Sequence, residues 1–168
     1  MLLSLSLLGL FITSVLGDGA AIVAAMDEIA AQNTDLGTTV ASWNGGLFGT
    51  LPIIVHSTKL LIKINEASGI AQDSAPLNAI EAITVAQSTQ ELAGGVETTL
   101  GNVVGAKPKF DKLLLSPIIL LNLKQEKSAT DKFSAAVVEK VPESLKGAAE
   151  TLVGRIETAF NDAIATYS

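Results

Sequence analysis

No cysteine occurs in this 168-residue chain, and His56 is its only histidine. The first absence excludes disulfide scaffolds, thiolate metal sites, iron–sulfur clusters and thiol nucleophiles. The second excludes paired-imidazole metal sites. Charged residues are sparse at 17%, and the 11 basic ones never form a block. That removes the cationic footprint with which a nucleic-acid partner displaces counterions. Aromatic residues are only 4% of the chain, which places a carbohydrate-binding platform behind other readings. What remains is aliphatic: 48% apolar residues, a mean hydropathy of +0.45 and a net charge of −6. Such a chain folds, and its length suits one domain.

Part of the apolar excess sits at the front. Residues 1–17, MLLSLSLLGLFITSVLG, carry no charge and show no polar alternation. As a helix they would rise roughly 25 Å, short of the roughly 30 Å bilayer core, and Val15-Leu16-Gly17 offers a signal-peptidase site. The sequence therefore predicts a cleaved signal peptide over 1–17, a mature domain over 18–168 and secretion, with no transmembrane span in the mature part. No Asn-x-Ser/Thr sequon is present, so any glycan would be O-linked.

The mature part reads as helices punctuated by prolines 52, 76, 108, 117 and 142. Ile22, Met26, Ile29, Leu36, Val40 and Trp43 form one helical stripe that stops at Asn44-Gly45-Gly46, predicting a helix over about 20–43. A second helix carries Leu51, Ile54, Thr58 and Leu61 at helical spacing. A third is expected to start at Asp73-Ser74 with Pro76 in its first turn and to bend at Gly94-Gly95. Lys107-Pro108-Lys109-Phe110 reads as a connector, Ser116-Pro117 opens a fourth helix, and Pro142 and Ser144 open a fifth. Its stripe, Leu145, Ala149, Leu152, Ile156, Phe160, Ala163 and Tyr167, is the clearest in the chain. The fold class is all-α, an antiparallel bundle of four to five helices.

Chemistry-bearing constellations are missing. His56 and Ser57 are neighbours without a Gly-x-Ser-x-Gly turn, so no serine hydrolase follows. Gly101-Asn-Val-Val-Gly105 with Lys107 lacks both the spacing and the hydroxyl of a phosphate loop. Glu91 and Glu97, six residues apart, do not share a helix face. No catalytic residue, metal ligand or cofactor is expected. Residues 18–104 carry nine acids and two bases, while 105–168 carry eight acids and nine bases, so the halves differ electrically.

The ordered set of Val104-Gly105-Ala106-Lys107-Pro108-Lys109-Phe110-Asp111, Lys124-Gln125, Ala129-Thr130-Asp131-Lys132-Phe133 and the closing Ala159-Phe160 to Tyr167-Ser168 resembles the fungal hydrophobic surface-binding proteins, also called cell wall galactomannoproteins. The resemblance spans the mature chain, with the Lys-Pro-x-Phe connector and the closing helix as its most specific pieces. It implies a small extracellular or wall-associated helical domain, without catalytic residues, that binds hydrophobic surfaces or lipids such as a fatty acid. A cell wall polysaccharide or a recruited secreted hydrolase are the further partners it admits. A structural or antigenic wall mannoprotein without a lipid pocket is the alternative. No Ser/Thr-rich tail follows Ser168, which favours a released protein. For a ligand held between helices, the expected apolar lining is Leu60, Ile64, Ile80, Leu100, Val104, Phe133, Val137, Leu152, Ile156 and Phe160. Lys107 and Lys109 are the expected contacts to a ligand head group.

Overall fold

The computed structural model describes residues 18–168; the expected signal peptide, residues 1–17, lies outside them. Six α-helices, α1 (Asp18–Ser42), α2 (Thr50–Asp73), α3 (Ala79–Gly105), α4 (Lys107–Lys112), α5 (Ser116–Lys140) and α6 (Lys146–Tyr167), account for nearly all of it. Among the described residues no strand occurs. The all-α expectation holds, with one short helix more than foreseen.

The boundaries follow local chemistry. α1 ends before Trp43, and the chain reverses at Gly45, whose φ of +92° only glycine adopts without cost. Asn44 stabilises the reversal by accepting from the Gly46 N–H at 2.9 Å. α3 starts later than expected, because Ser74 closes α2 instead of opening α3. Its N–H and hydroxyl both donate to the Ile70 carbonyl, at 3.1 and 2.7 Å. The cap of α3 is Asn78, whose Oδ1 accepts from the N–H groups of Ile80 and Glu81, while Glu81 Oε2 accepts from the Asn78 N–H. This is a complete capping box.

Two further expectations change. Lys107-Pro108-Lys109-Phe110 is no extended connector but the body of α4, since proline in a first turn forfeits a donor that would be unpaired anyway. α3 runs unbroken through Gly94-Gly95. A Cβ on Gly95 would stand 3.3 Å from Asn33 Nδ2, so that glycine lets α3 lie close on α1.

The long helices close into a ring. Each packs chiefly on two neighbours, in the order α1, α2, α5, α6, α3 and back to α1. Successive long helices run in opposite directions, as the Glu28–Lys63 and Asp35–His56 approaches between α1 and α2 require. Neighbours that are not successive run the same way. Ser57 with Glu126 and Gln72 with Lys140 align α2 and α5, and Gly37 with Asn102 and Asp18 with Ala75 align α1 and the approach to α3. Five staves around an axis leave a central space that two-layer packing would not, and that space positions the site.

One end of the ring is sealed by aromatics. Phe110 of α4 lies 4.5 Å from Trp43 and 6.4 Å from Tyr167, centroid to centroid. The Tyr167 hydroxyl donates to the Val103 carbonyl at 2.6 Å, and the Trp43 indole N–H donates to the Gly46 carbonyl at 2.8 Å. Each buried aromatic thus has its polar atom satisfied.

Candidate functional site

The central space is a cavity of about 320 Å³, within the range of small-molecule pockets of roughly 300–1,000 Å³. All five long helices contribute to its wall. Met26, Ile29 and Leu36 come from α1, Leu60 and Ile64 from α2, and Val85, Leu92, Val96, Leu100 and Val103 from α3. Phe133 and Val137 of α5 and Leu152, Ile156 and Phe160 of α6 complete it. On α3 the lining runs from Ala82 to Val103, which at 1.5 Å per residue makes the wall roughly 30 Å long. The lining residues that keep most exposure, Ile83 at 53%, Gln87, Gln90 and Ala148, belong to α3 and α6. The cavity therefore reaches the surface between these two helices, away from the aromatic end. Closer to that end, Arg155 of α6 grips Glu97 of α3 through two bonds of 3.0 and 2.9 Å.

The structure brings together eight of the ten apolar residues singled out in the sequence: Leu60, Ile64, Leu100, Phe133, Val137, Leu152, Ile156 and Phe160 all line this cavity. Two lie elsewhere. Ile80 is 79% exposed, because the buried face of α3 runs through Ala82, Val85 and Leu92, and Ile80 points away from it. Val104 packs partly buried outside the lining, one residue and about 100° around the helix from Val103. The lysines also lie outside the cavity. Lys107 pairs with Asp111 at 2.8 Å and sits 5.6 Å from the Tyr167 ring centroid, and Lys109 Nζ donates to the Trp43 carbonyl at 2.5 Å. Both brace the aromatic end, so neither is placed to meet a head group in the cavity.

Sequence reasoning missed the polar members of the wall. Glu126 of α5 is a lining residue left only 5% exposed, and Ser57 Oγ donates to its Oε1 at 2.6 Å. Burial pushes its pKa up to about 7, against the Ser57 bond, which favours the charged form. Asn33 of α1 is equally buried, and its carbonyl accepts from Thr99 Oγ1 at 3.0 Å. Both stand at core positions of their stripes, Leu123-Glu126-Thr130-Phe133-Val137 and Ile29-Asn33-Leu36-Val40. A carboxylate or amide at such a position was the available signal.

The outer face of α2 was also misread. Its buried apolar residues are Ile53, Leu60, Ile64, Ala67 and Ala71, whereas Leu51 and Ile54 are exposed. With the preceding turn, Leu47–Asp73 is long and apolar enough to cross a membrane by length and composition. In the fold it is one stave of the ring, tied to α1 through Lys63–Glu28 and to α5 through Ser57–Glu126. His56 Nδ1 lies 4.0 Å from Asp35 on the α1–α2 seam. Among the described residues no cluster of three His, Cys, Asp or Glu side chains could hold a metal.

Comparison with known proteins matches this architecture. The profile of the family described as hydrophobic surface binding protein A matches residues 19–139. Cell wall mannoprotein 1 of Aspergillus fumigatus is 29% identical over 99% of this chain and 58% of its own length. The Aspergillus flavus protein of the same name is 26% identical over 83% of this chain and 50% of its own. The chain thus spans about half the length of these relatives. Among solved structures, Afmp4p in complex with palmitic acid superposes with a TM-score of 0.86 at 24% identity, covering 89% of this chain and 99% of that one. Ligand binding domain 2 of the Penicillium marneffei MP1 protein, complexed with multiple arachidonic acids, does so with a TM-score of 0.84 at 19% identity, covering 89% and 95%. At these identities the likeness establishes a common fold.

Proposed function

The chain belongs to the hydrophobic surface binding protein A family, and we propose that it is a secreted, wall-associated protein that binds an acyl chain in its central cavity. Residues 1–17 act as a cleaved leader and 18–168 as the mature domain. The observation that carries the reading is the ring itself: five helices present apolar side chains to one elongated internal space whose most exposed lining residues lie on α3 and α6. The fatty acids named in the complexes of two structural neighbours support the same ligand class. Burying about ten methylenes at roughly 0.8 kcal/mol each gives roughly 8 kcal/mol before the cost of association, enough for micromolar binding. No covalent step belongs to this reading.

Ile156→Trp tests it. The side chain is buried against the cavity, so the larger ring should fill it, abolish fatty-acid binding and remove the ligand-induced rise in melting temperature, while the apo melt changes little. In a close-packed core the same change would cost about 1–3 kcal/mol through overpacking. No midpoint shift in the unsubstituted protein across a panel of acyl chains would leave the structural-mannoprotein alternative standing.

A second reading rests on a different observation. Phe48 (88% exposed), Leu47 and Leu51 before and in α2 share the aromatic end of the ring with Leu114 (85% exposed), Ile118 and Leu121 before and in α5. Leu114 also holds a φ of +58°, a strained conformation for leucine. This apolar end is suited to adsorb on a hydrophobic solid. Replacing both Phe48 and Leu114 by Asp should leave the melt unchanged and reduce adsorption to a wax or polyester; undiminished adsorption would refute the assignment.

A further inference from the structure

Among the described residues Glu126 is the one ionisable side chain in the cavity wall. No lysine, arginine or histidine lines it on any of the five helices. The charged groups of the surrounding elements are turned to outer pairs: Asp35 with His56 between α1 and α2, Glu97 with Arg155 between α3 and α6, and Lys127 with Asp131 along α5. Of the four hydroxyls in the wall, Thr89 and Thr99 donate to the carbonyls of Val85 and Asn33, which leaves Thr130 and Ser134 of α5 as the neutral donors beside Glu126. Glu126 Oε1 accepts from Ser57, and Oε2 accepts no hydrogen bond from any described residue. The wall therefore offers a ligand's polar end one acidic group with a free oxygen and no cation.

We propose that Glu126, positioned by Ser57, determines ligand selectivity by admitting acyl ligands whose polar end is uncharged, an alcohol or an unionised carboxyl, and disfavouring the carboxylate anion. The proposal rests on the acyl-chain reading above. Oε2 of the ionised group accepts a hydrogen bond from an alcohol, whereas a carboxylate there would set two like charges in a low-dielectric space with no counter-ion. Protonated, Oε2 carries a donor that either ligand can use. Selection against the anion is thus greatest above the titration range of Glu126 and fades below it.

The test compares dodecanoic acid with 1-dodecanol by displacement of the uncharged dye Nile red from the delipidated protein, at pH 5 and pH 8.5. The alcohol should win by about tenfold or more at pH 8.5 and by much less at pH 5. The fatty acid ionises on its own account, so the diagnostic is the variant. Glu126→Gln, nearly isosteric, should narrow the alcohol-to-acid ratio at pH 8.5 by about fivefold or more and leave it unchanged at pH 5. Ser57→Ala removes the bond that favours the charged form and should shift the fall in acid affinity to higher pH. Equal ratios at pH 8.5 in the native protein and Glu126→Gln would overturn this proposal alone. Binding of neither ligand by the native protein would overturn the cavity reading and this proposal with it.

Discussion

α3 has two flanks built on opposite terms. Toward α1 it is dry and close: a Cβ on Gly19 would stand 2.7 Å from Glu81 Cβ, and one on Gly37 would stand 2.5 Å from Thr99 Oγ1. Toward α6 the contact is made by long side chains: Arg155 reaches Glu97 through bonds of 3.0 and 2.9 Å, and Tyr167 donates to the Val103 carbonyl at 2.6 Å. Small residues permit backbone approach on one flank, and reaching side chains span the other. The difference teaches where the cavity comes from. α1 is drawn tightly onto α3, so the slack of a five-membered ring collects along the wall facing α5 and α6, where the mouth lies.

The largest expected effect is on the slack side, where a carboxyl is buried with one partner. Glu126 is raised from 4.5 to about 7 in the folded protein. The folded state therefore holds its proton more tightly than the unfolded chain. Its favourable contribution is full below about pH 4.5 and is lost as pH rises through about 7. Relative to Glu126→Gln, the native protein should lose on the order of 3 kcal/mol between pH 4 and pH 8. Denaturant melts of both proteins across that interval measure it, and parallel pH profiles would show that the carboxyl is solvated through the mouth.

Gly37→Ala probes the close flank and comes next. The new methyl meets a threonine hydroxyl that is already engaged with the Asn33 carbonyl at 3.0 Å, so it cannot simply swing away. Despite the better helix propensity of alanine, the change should destabilise by about 1–3 kcal/mol. Its counterpart on α6, Gly154→Ala, lies on the side of that helix opposite the buried Ile156 and should stabilise by about 0.5–1 kcal/mol, because the added methyl enters open space and only the unfolded chain loses freedom. A pair of thermal melts settles the contrast. A stabilising Gly37→Ala would mean that α1 and α3 are not held in close contact there.

That contrast also marks what the sequence made legible. The α6 stripe from Leu145 to Tyr167 announced a helix and a buried face, and five of its members, Leu145, Ala149, Leu152, Ile156 and Phe160, are cavity wall. Size misled where small residues carry the contact. On α3 the buried face passes through Ala82, Ala93 and Thr99, while the bulkier Ile80 and Ile83 stay outside. On α2 the outer apolar row of Leu51 and Ile54 was as periodic as the inner row of Ile53, Leu60 and Ile64, and periodicity does not rank two faces of a helix that is apolar on both. Ring closure depends on which stripes meet, and that information is distributed over all five helices.

Arg155→Ala tests how much of the α6 wall is held by its clasp on α3. The Arg155–Glu97 pair has good bidentate geometry, but its side chains are 41% and 40% exposed, so solvent screens most of its Coulomb energy. The loss should be about 0.2–1 kcal/mol and should shrink further in 1 M salt, where the screening length falls to about 3 Å. A loss of that size means that α6 stays in the ring through Ile156, Phe160, Ala163 and Tyr167, its buried residues, and that the mouth can widen beside a clasp that contributes little. A loss of several kcal/mol, insensitive to salt, would mean instead that this one pair holds the slack flank closed, and the two flanks of α3 would differ in the kind of force that binds them as well as in its strength.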